Sequence, residues 1–425
     1  MKILIISYHF HPENNPRAFR WYEISKQFVA KGIEVDVITN RNDNSSFEIK
    51  EGIRIFRVGK SIPNFYKSND NNIEKNENFL NNIKTSIYSV FKIIHKYTWK
   101  KLYWPDFAFL WYFQGLRKSN SLMLNREYDK IITVSLPFTC HLIGLKLKQK
   151  FPDVFWLADS GDPFSFSDLA SINNTSLYNN LNYKFENKVF QSTDKLTFTT
   201  QGTVNRYSKL FSGSLSKFVI IPPLVKLYEP KLKTRNIFNK TKNDKIILSY
   251  FGVLYKKIRN PDGLLFMLDS LINYQNKLNF KIELHFFGDH TSCIEIFQAY
   301  SSLSKNIIFH GSVSKEIALM SMCQSDVLIN IGNLTNYQLP SKVVEYVAVS
   351  KPIINIISIS DDSSKIYLNQ FPFVLNYKIN DDIGIVLNFI KNLKSIKIEK
   401  SLVQDFVLKH QPSMISNHYL KALMN

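Results

Sequence analysis

The chain reads as an α/β protein made of two parallel-sheet domains in tandem. Three observations lead there. Short apolar runs, several rich in β-branched residues, alternate with helical patterns, the signature of parallel α/β construction. The alternation breaks at residues 222–243 and then restarts. At 425 residues the chain is also too long for one ordinary core, whereas two domains of roughly 200 residues each match the usual size.

Taken in order, strands are expected at 3–6, 35–38, 130–134, 154–157, 196–198 and 218–221. Between the first two, a helix from Arg17 to Ala30 ends at Lys31-Gly32, where glycine acts as the C-terminal stop. Residues 69–78 are polar and aperiodic and read as a loop. Pro222-Pro223 closes the first half, and 226–243, polar and basic, form a linker. The pattern resumes with strands at 246–251, 282–287, 307–310, 327–331 and 353–357. The expected layout is therefore a first domain over 1–225, the linker 226–243 and a second domain over 244–410. Residues 411–425 should form a C-terminal helix packed back on the first domain. Two such halves suggest Rossmann-like domains facing a central cleft, with ligands at the carboxyl ends of the strands.

Bulk composition narrows the partners. Hydrophobic residues at 44% and aromatics at 14% give a globular chain with much apolar area to bury. Cys140, Cys293 and Cys323 form no metal or disulfide spacing, which favours a reducing, cytoplasmic setting. Met1-Lys2 runs into an apolar stretch too short for a secretory core, and no run is long enough to span a bilayer. The net charge of +19 points to nucleic acid, an anionic membrane surface or phosphorylated substrates. Zinc spacing and aromatic ribonucleoprotein signatures are lacking, so no nucleic acid is expected and membrane plus anionic substrate is preferred. A genome bias toward Asn, Lys and Ile would give the same charge. Residues 82–101 add a basic amphipathic pattern, with Ile83, Ile87, Val90, Phe91 and Ile94 at helical spacing among lysines. That suits peripheral contact with anionic lipid, or equally a core-packed helix.

Chemistry concentrates in five segments. The most informative is Leu339-Pro340-Ser341-Lys342, opening a helix of about ten residues with Glu345 one turn in. Proline suits the first turn, whose free N–H groups and dipole attract anions. Ser341 and Lys342 add a hydroxyl and a cation, and Glu345 shares their face. Diphosphate at the tip and ribose on the acid fit this arrangement; a capped helix with a surface acid would read the same. Gly252, with the cationic loop Lys256-Lys257-Ile258-Arg259 after it, permits close backbone approach to a phosphate. Arg259 is the better bidentate ligand and Lys257 a point charge. His310-Gly311 and Val313 end another strand, where backbone groups could read a base edge. In the first half, the loop His11, Asn14, Asn15, Arg17 stands after strand one, without the glycine pattern of dinucleotide binding. Asp159 and Asp162 emerge past a strand in Asp-Ser-Gly-Asp-Pro and could orient sugar hydroxyls or act as base, though Asp also simply favours turns.

With these residues assembled, the chain resembles the GT-B glycosyltransferases of the family-4 type. The likeness lies in the opening Met1-Lys2-Ile3-Leu4, the Pro-containing loop, the Arg-bearing helix and Gly32-Ile33-Glu34-Val35. Gly161-Asp162-Pro163, Pro105-Asp106 with Trp111, and then Gly252, Gly311 and the 340–352 stretch follow in family order. It covers most of the chain, carried by order and spacing rather than one motif. What the resemblance implies is retaining transfer of a sugar from a nucleotide-sugar donor, UDP-sugar favoured, with no cofactor and no metal. The donor would sit in the second domain, with Glu345 on the ribose and Arg259 and a lysine on the diphosphate. A lipid-linked or oligosaccharide acceptor in surface polysaccharide synthesis would face the first domain. Two positions depart from the family. The acid usual eight residues before Glu345 is Tyr337, and the glycine usual after the helix is Ser350. A nucleotide-sugar 2-epimerase of the same fold and a non-catalytic assembly partner remain alternatives.

Overall fold

The computed structural model describes residues 1–41, 45–59, 102–166, 172–227, 236–238, 245–274, 280–393 and 400–425. The expected loop at 69–78, the amphipathic stretch at 82–101 and most of the 226–243 linker lie outside the described residues. The chain divides into two compact units. The first comprises Met1–Thr199, Val204–Ile221 and Ser416–Asn425; the second comprises Thr200–Thr203 and Pro222–Ile415.

In the first unit the strands are β1 (Lys2–Ser7), β2 (Glu34–Asn40), β3 (Phe47–Lys50), β4 (Ile53–Val58), β5 (Lys130–Ser135), β6 (Phe155–Ser160), β7 (Lys195–Phe198) and β8 (Phe218–Ile220). They form one sheet in the order β3-β4-β2-β1-β5-β6-β7-β8. Every pairing is parallel except β3 with β4, a hairpin turned by Glu51 and Gly52 in left-handed conformations. β1, β5 and β6 are almost wholly buried, as strands covered on both faces must be. The six expected strands are all present, whereas β3 and β4 escaped prediction. β4 alternates buried with half-buried positions and carries Arg54, whose Nε lies 2.6 Å from buried Asp36 on β2. Its arginines hide an otherwise apolar strand.

Helix Pro16–Ala30 begins with Asn15 as cap, the Asn15 Oδ1 accepting the Arg17 N–H at 2.8 Å. It ends as expected at Gly32, φ +76°, whose N–H bonds to the Val29 carbonyl. Trp21, Ile24 and Phe28 pack inward. The helix Pro412–Met424 belongs to this unit from Ser416 onward. The Tyr419 hydroxyl reaches Asp159 Oδ1 at 2.7 Å and accepts from Arg20 Nη2 at 3.0 Å.

The second unit holds β9 (Lys245–Phe251), β10 (Lys281–Phe287), β11 (Ile307–Gly311), β12 (Val327–Ile331), β13 (Ile353–Ile357) and β14 (Val374–Lys378). Their order is β11-β10-β9-β12-β13-β14, parallel throughout. This is the doubly wound Rossmann order, reversing direction between β9 and β12. β14 was not expected, and the other five were. Buried Asn330 and Asn355 and half-buried Asn376 link neighbouring strands β12, β13 and β14 through their amides at 2.7 and 2.9 Å.

The boundary between the units falls at Pro222, a few residues before the expected position 225. Val225 is fully buried in the second unit's core and its N–H bonds to the His410 carbonyl at 2.8 Å. Phe238, within the expected linker, is buried in the same core. Among the described residues, no helix is long and apolar enough to cross a membrane.

Candidate functional site

In the second unit, β9 runs out into Gly252 at φ +145°, whose N–H bonds to the Phe287 carbonyl at 2.9 Å. Backbone crowding explains the next glycine. A Cβ on Gly288, itself at φ +135°, would meet the Gly252 carbonyl oxygen at 2.0 Å. Beyond Gly252 the chain turns tightly, the Ile258 and Arg259 N–H groups both reaching the Tyr255 carbonyl. That turn aims Arg259 at the end of β12. There Asn333 Oδ1 accepts from Arg259 Nη2 at 2.9 Å and Nε at 3.2 Å, while Nη1 faces the Val253 carbonyl at 3.4 Å. Asn333 is itself fixed, donating through Nδ2 to the Gln338 carbonyl at 3.1 Å. A guanidinium is thus held at the point where the sheet reverses, the usual ligand crevice of such sheets. Its positive charge also bears on Tyr250, whose hydroxyl is pushed up by burial and drawn partly back by Arg259.

The segment 339–350 forms a helix over Ser341–Ala348, shorter than the ten residues expected, with Pro340 as its cap rather than inside its first turn. No side chain caps its N-terminus. Ser341 is exposed there. Lys342 Nζ pairs with Glu345 Oε2 at 2.7 Å, each side chain 31% exposed, so the cation and acid occupy one face. After the helix Ser350 takes φ +55°, the left-handed position that glycine would fill without strain. Leu339 and Val313 are partly buried against the core. Lys257 is exposed, and its neighbour Lys256 pairs with Glu295 at 2.9 Å.

The His310 side chain is engaged within the second unit. Its Nε2 lies 2.8 Å from His285 Nδ1 and its ring stacks on Phe287 at 4.1 Å. His285 continues to Glu283 and Glu283 to Lys245, a chain that runs into the sheet. Burial pushes both histidines down. Only the backbone at His310-Gly311 remains to meet a ligand.

In the first unit the structure brings Arg17, Asp159 and Gly161 together. A Cβ on Gly161 would lie 0.6 Å from Arg17 Nη2, so the guanidinium rests directly on the glycine. Arg17 Nη1 is 3.4 Å from Asp159 Oδ2. Asp159, expected beside Asp162 as a reacting acid, is shut from solvent and saturated with donors. Trp21 Nε1 reaches Oδ2 at 2.9 Å, and the Thr197 and Tyr419 hydroxyls reach Oδ1 at 2.7 Å. Burial alone would raise its carboxyl, but Arg17, Arg20 and these hydrogen bonds outweigh it and hold the group below its ordinary range. Its contacts orient Arg17 instead. Asp162, one residue past the glycine, is half-buried.

Of the remaining loop residues, Asn15 is occupied as the helix cap and Asn14 is exposed. His11 stacks on Tyr22 at 4.3 Å with Nε2 2.9 Å from Lys50 Nζ, and burial together with Lys50 pushes it down. Among the described residues no three His, Cys, Asp or Glu side chains converge as a metal site.

No family model matches the sequence, and no curated protein matches it. Solved structures do. A sucrose-phosphate synthase from Thermosynechococcus elongatus superposes with a TM-score of 0.59 at 14% identity, covering 99% of this chain and 98% of that one. The fold is GT-B. Anabaena HepE in complex with UDP gives 0.55 at 10% identity over 100% of both chains. WaaG, described as a glycosyltransferase involved in lipopolysaccharide biosynthesis, gives 0.53 at 14% identity over 99% of each.

Within this GT-B chain several site residues were invisible to sequence reasoning. Asn333, which grips Arg259, is an unremarkable residue in a loop. Glu186 accepts the Phe164 and Ser165 N–H groups at 3.2 and 3.1 Å and so pins the turn that carries Asp162. Tyr337, standing where an acid was expected, is buried, and its carbonyl takes the Thr203 hydroxyl at 2.7 Å and that of Thr200 at 3.0 Å. The glycines were the available signal. Gly161, Gly202 and Gly288 each sit where a Cβ would strike another group within about 2 Å or less.

Proposed function

We propose that the chain is a glycosyltransferase that takes a sugar from a nucleotide-diphosphate sugar, a UDP-sugar by preference. It passes that sugar to a lipid-linked or oligosaccharide acceptor in surface polysaccharide synthesis. The observation that carries this reading is Arg259, gripped by Asn333 between the ends of β9 and β12. A guanidinium fixed at a switch point, beside a glycine backbone and near an exposed lysine, is suited to a diphosphate. The UDP bound to HepE and the role of WaaG in lipopolysaccharide synthesis support the donor and the acceptor class.

In this reading the diphosphate meets Gly252, Arg259 and Lys257, with the uncapped N-terminus over Ser341 and Lys342 contributing its dipole. Glu345 turns from Lys342 to the ribose hydroxyls, and Leu339, Pro340, Val313 and the His310-Gly311 backbone line the base. The cations neutralise charge on the departing diphosphate, so transfer proceeds with no bound metal, and the family resemblance supports retention at the anomeric carbon. Asp162 orients sugar or acceptor hydroxyls. Arg17 offers a cation to an anionic acceptor such as a polyprenyl diphosphate, with Asn14 and His11 on the same loop. The protein works in the cytoplasm against an anionic membrane. Leu102, Phe107, Leu110 and Phe113, each more than half exposed, offer an apolar surface for that contact.

Thermal-shift titration with UDP-, GDP- and ADP-sugars tests the donor. A ligand at a hundred times its Kd should stabilise the native state by about 2.7 kcal/mol. Absence of any shift with all three would sink the reading. Conversion of a donor without acceptor into its C2 epimer would select the epimerase instead. Failure to sediment with anionic vesicles at low salt would remove the membrane contact.

A further inference from the structure

Four polar side chains in the first unit form a hydrogen-bonded line that the reading above leaves idle. It starts at Trp156, whose Nε1 donates to Thr133 Oγ1 at 2.9 Å. Thr133 Oγ1 lies 2.8 Å from His141 Nδ1, and His141 Nε2 lies 3.1 Å from Ser160 Oγ. Trp156, Thr133 and His141 are fully buried, and Ser160 is 4% exposed. An indole N–H only donates, so the direction of the line is set from that end. Thr133 accepts from Trp156, and among the described residues its own hydrogen has one acceptor left, His141 Nδ1. Burial keeps the imidazole neutral, so its single proton stands on Nε2 and is given to Ser160 Oγ. The opposite order would strand the Thr133 hydrogen at the fully buried end. Ser160 therefore ends the line as an acceptor whose own O–H has no partner among the described residues.

That unspent hydrogen stands at the carboxyl end of β6, close to the reversal of the first sheet between β1 and β5. Ligands of parallel sheets gather at such places. Ser135 faces Ser160 in register across β5 and β6, is buried, and makes no hydrogen bond through its hydroxyl among the described residues. One residue beyond Ser160, Gly161 seats the Arg17 guanidinium. Asp159, reached through Nη1, is the one hydrogen-bond partner of that guanidinium among the described residues. Nε and Nη2 keep their N–H groups, the edge of the fork that grips an oxyanion with two parallel bonds. Arg20 shares with Arg17 the compensation of Asp159, so the three together carry a net positive charge. We infer that Arg17, Ser160 and Ser135 bind a phosphate group in the first unit, with Thr133 and His141 positioning the Ser160 hydrogen. A sugar hydroxyl would bring one more donor to a place that already holds four unspent ones. A phosphate accepts only, and its tetrahedral oxygens meet a fork and two hydroxyls at once. This site rests on the glycosyltransferase reading and deepens it, because an acceptor carried on a lipid diphosphate supplies such a group.

Isothermal titration of the full chain with inorganic pyrophosphate and with farnesyl diphosphate, under saturating UDP to fill the second unit's site, measures the binding. Ser160→Ala should raise the Kd of both probes by about 10- to 150-fold, the loss of one charge-assisted hydrogen bond. Thr133→Val touches no ligand, yet it should weaken both probes. It lets Nδ1 take the ring proton, and Ser160 then spends its hydrogen on Nε2. Tighter binding of farnesyl diphosphate marks a lipid-linked ligand, and equal constants mark the diphosphate group alone. Nitrogen NMR of histidine-labelled wild type needs no variant and should place the His141 proton on Nε2. A proton on Nδ1, a folded Ser160→Ala with wild-type constants, or binding of neither probe while UDP binds overturns the site and leaves the donor reading standing. Failure of UDP itself to bind the wild type removes the donor reading, and the phosphate site with it.

Discussion

Replacing Arg259 by alanine should weaken UDP binding by a factor that can be worked from its contacts. The guanidinium has five N–H groups. Asn333 takes one from Nη2 and one from Nε, the Val253 carbonyl lies near one from Nη1, and the Tyr250 hydroxyl faces the group as well. At least one N–H and the charge itself therefore remain for a phosphate oxygen. A charge-assisted hydrogen bond contributes about 1.5–3 kcal/mol, so losing one raises Kd by roughly 10- to 150-fold. Arg259→Lys keeps the charge but cannot span Asn333 and a phosphate together, and should recover little of the loss. Asn333→Ala should weaken binding without touching ligand, by releasing the fork. The double variant should then fall short of the sum of the single effects. Isothermal titration with UDP gives all five constants. Equal Kd values for wild type and Arg259→Ala, with both proteins folded, would refute the reasoning.

Other expectations concern stability. Ser350→Gly relieves a left-handed serine at φ +55° and should stabilise the second unit by up to about 1 kcal/mol, or roughly 2–4 °C in Tm. No rise, or a fall, would mean the serine is not strained. Gly161→Ala must drive Arg17 off its seat, leaving Asp159 without its adjacent cation, at a cost of about 1–3 kcal/mol in denaturant unfolding. Added to Arg17→Ala it should cost little more; full additivity would contradict the packing. His141 is fully buried between Thr133 and Ser160, and burial pushes its folded pKa down to about 3. Because the unfolded chain binds this proton more readily, the contribution is complete above pH ~6.5 and is lost as pH falls toward about 3. At ~1.36 kcal/mol per pKa unit it amounts to about 5 kcal/mol. His141→Gln should flatten acid unfolding across that window, and an unchanged acid profile would count against it.

The fold was legible because parallel strands buried on both faces leave continuous apolar runs, as at 3–6, 130–134 and 327–331. β4 was missed because Arg54 and Arg57 interrupt its run, their charges neutralised by Asp36 and Glu48, which only the folded chain brings near. The candidate site divides in the same way. Gly252, Arg259 and Glu345 could be picked out because the local sequence, a glycine after a strand or an acid one turn into a helix, already carries their geometry. Asn333 grips Arg259 from 74 positions away and Tyr419 bonds Asp159 across 260, separations that leave no local trace. Where expectation failed at Asp159, burial decided it. The residue was placed at a strand end correctly, yet neighbouring donors already occupied its carboxylate.

The bond between Tyr419 and Asp159 has a consequence for how the protein is made. Ser416–Asn425 belong to the first unit, although the whole second unit is written between them and Ile221. On a ribosome the first sheet can form early, but Asp159 and Arg20 wait without Tyr419 until residues 222–415 have been synthesised. The second unit, contiguous from Pro222 to Ile415 apart from Thr200–Thr203, has nearly all its parts before the first is complete. The order of completion is thus the reverse of the order of translation. A chain stalled or cut before Ser416 would hold a finished second unit joined to a first unit whose Asp159 and Arg20 lack the Tyr419 hydroxyl.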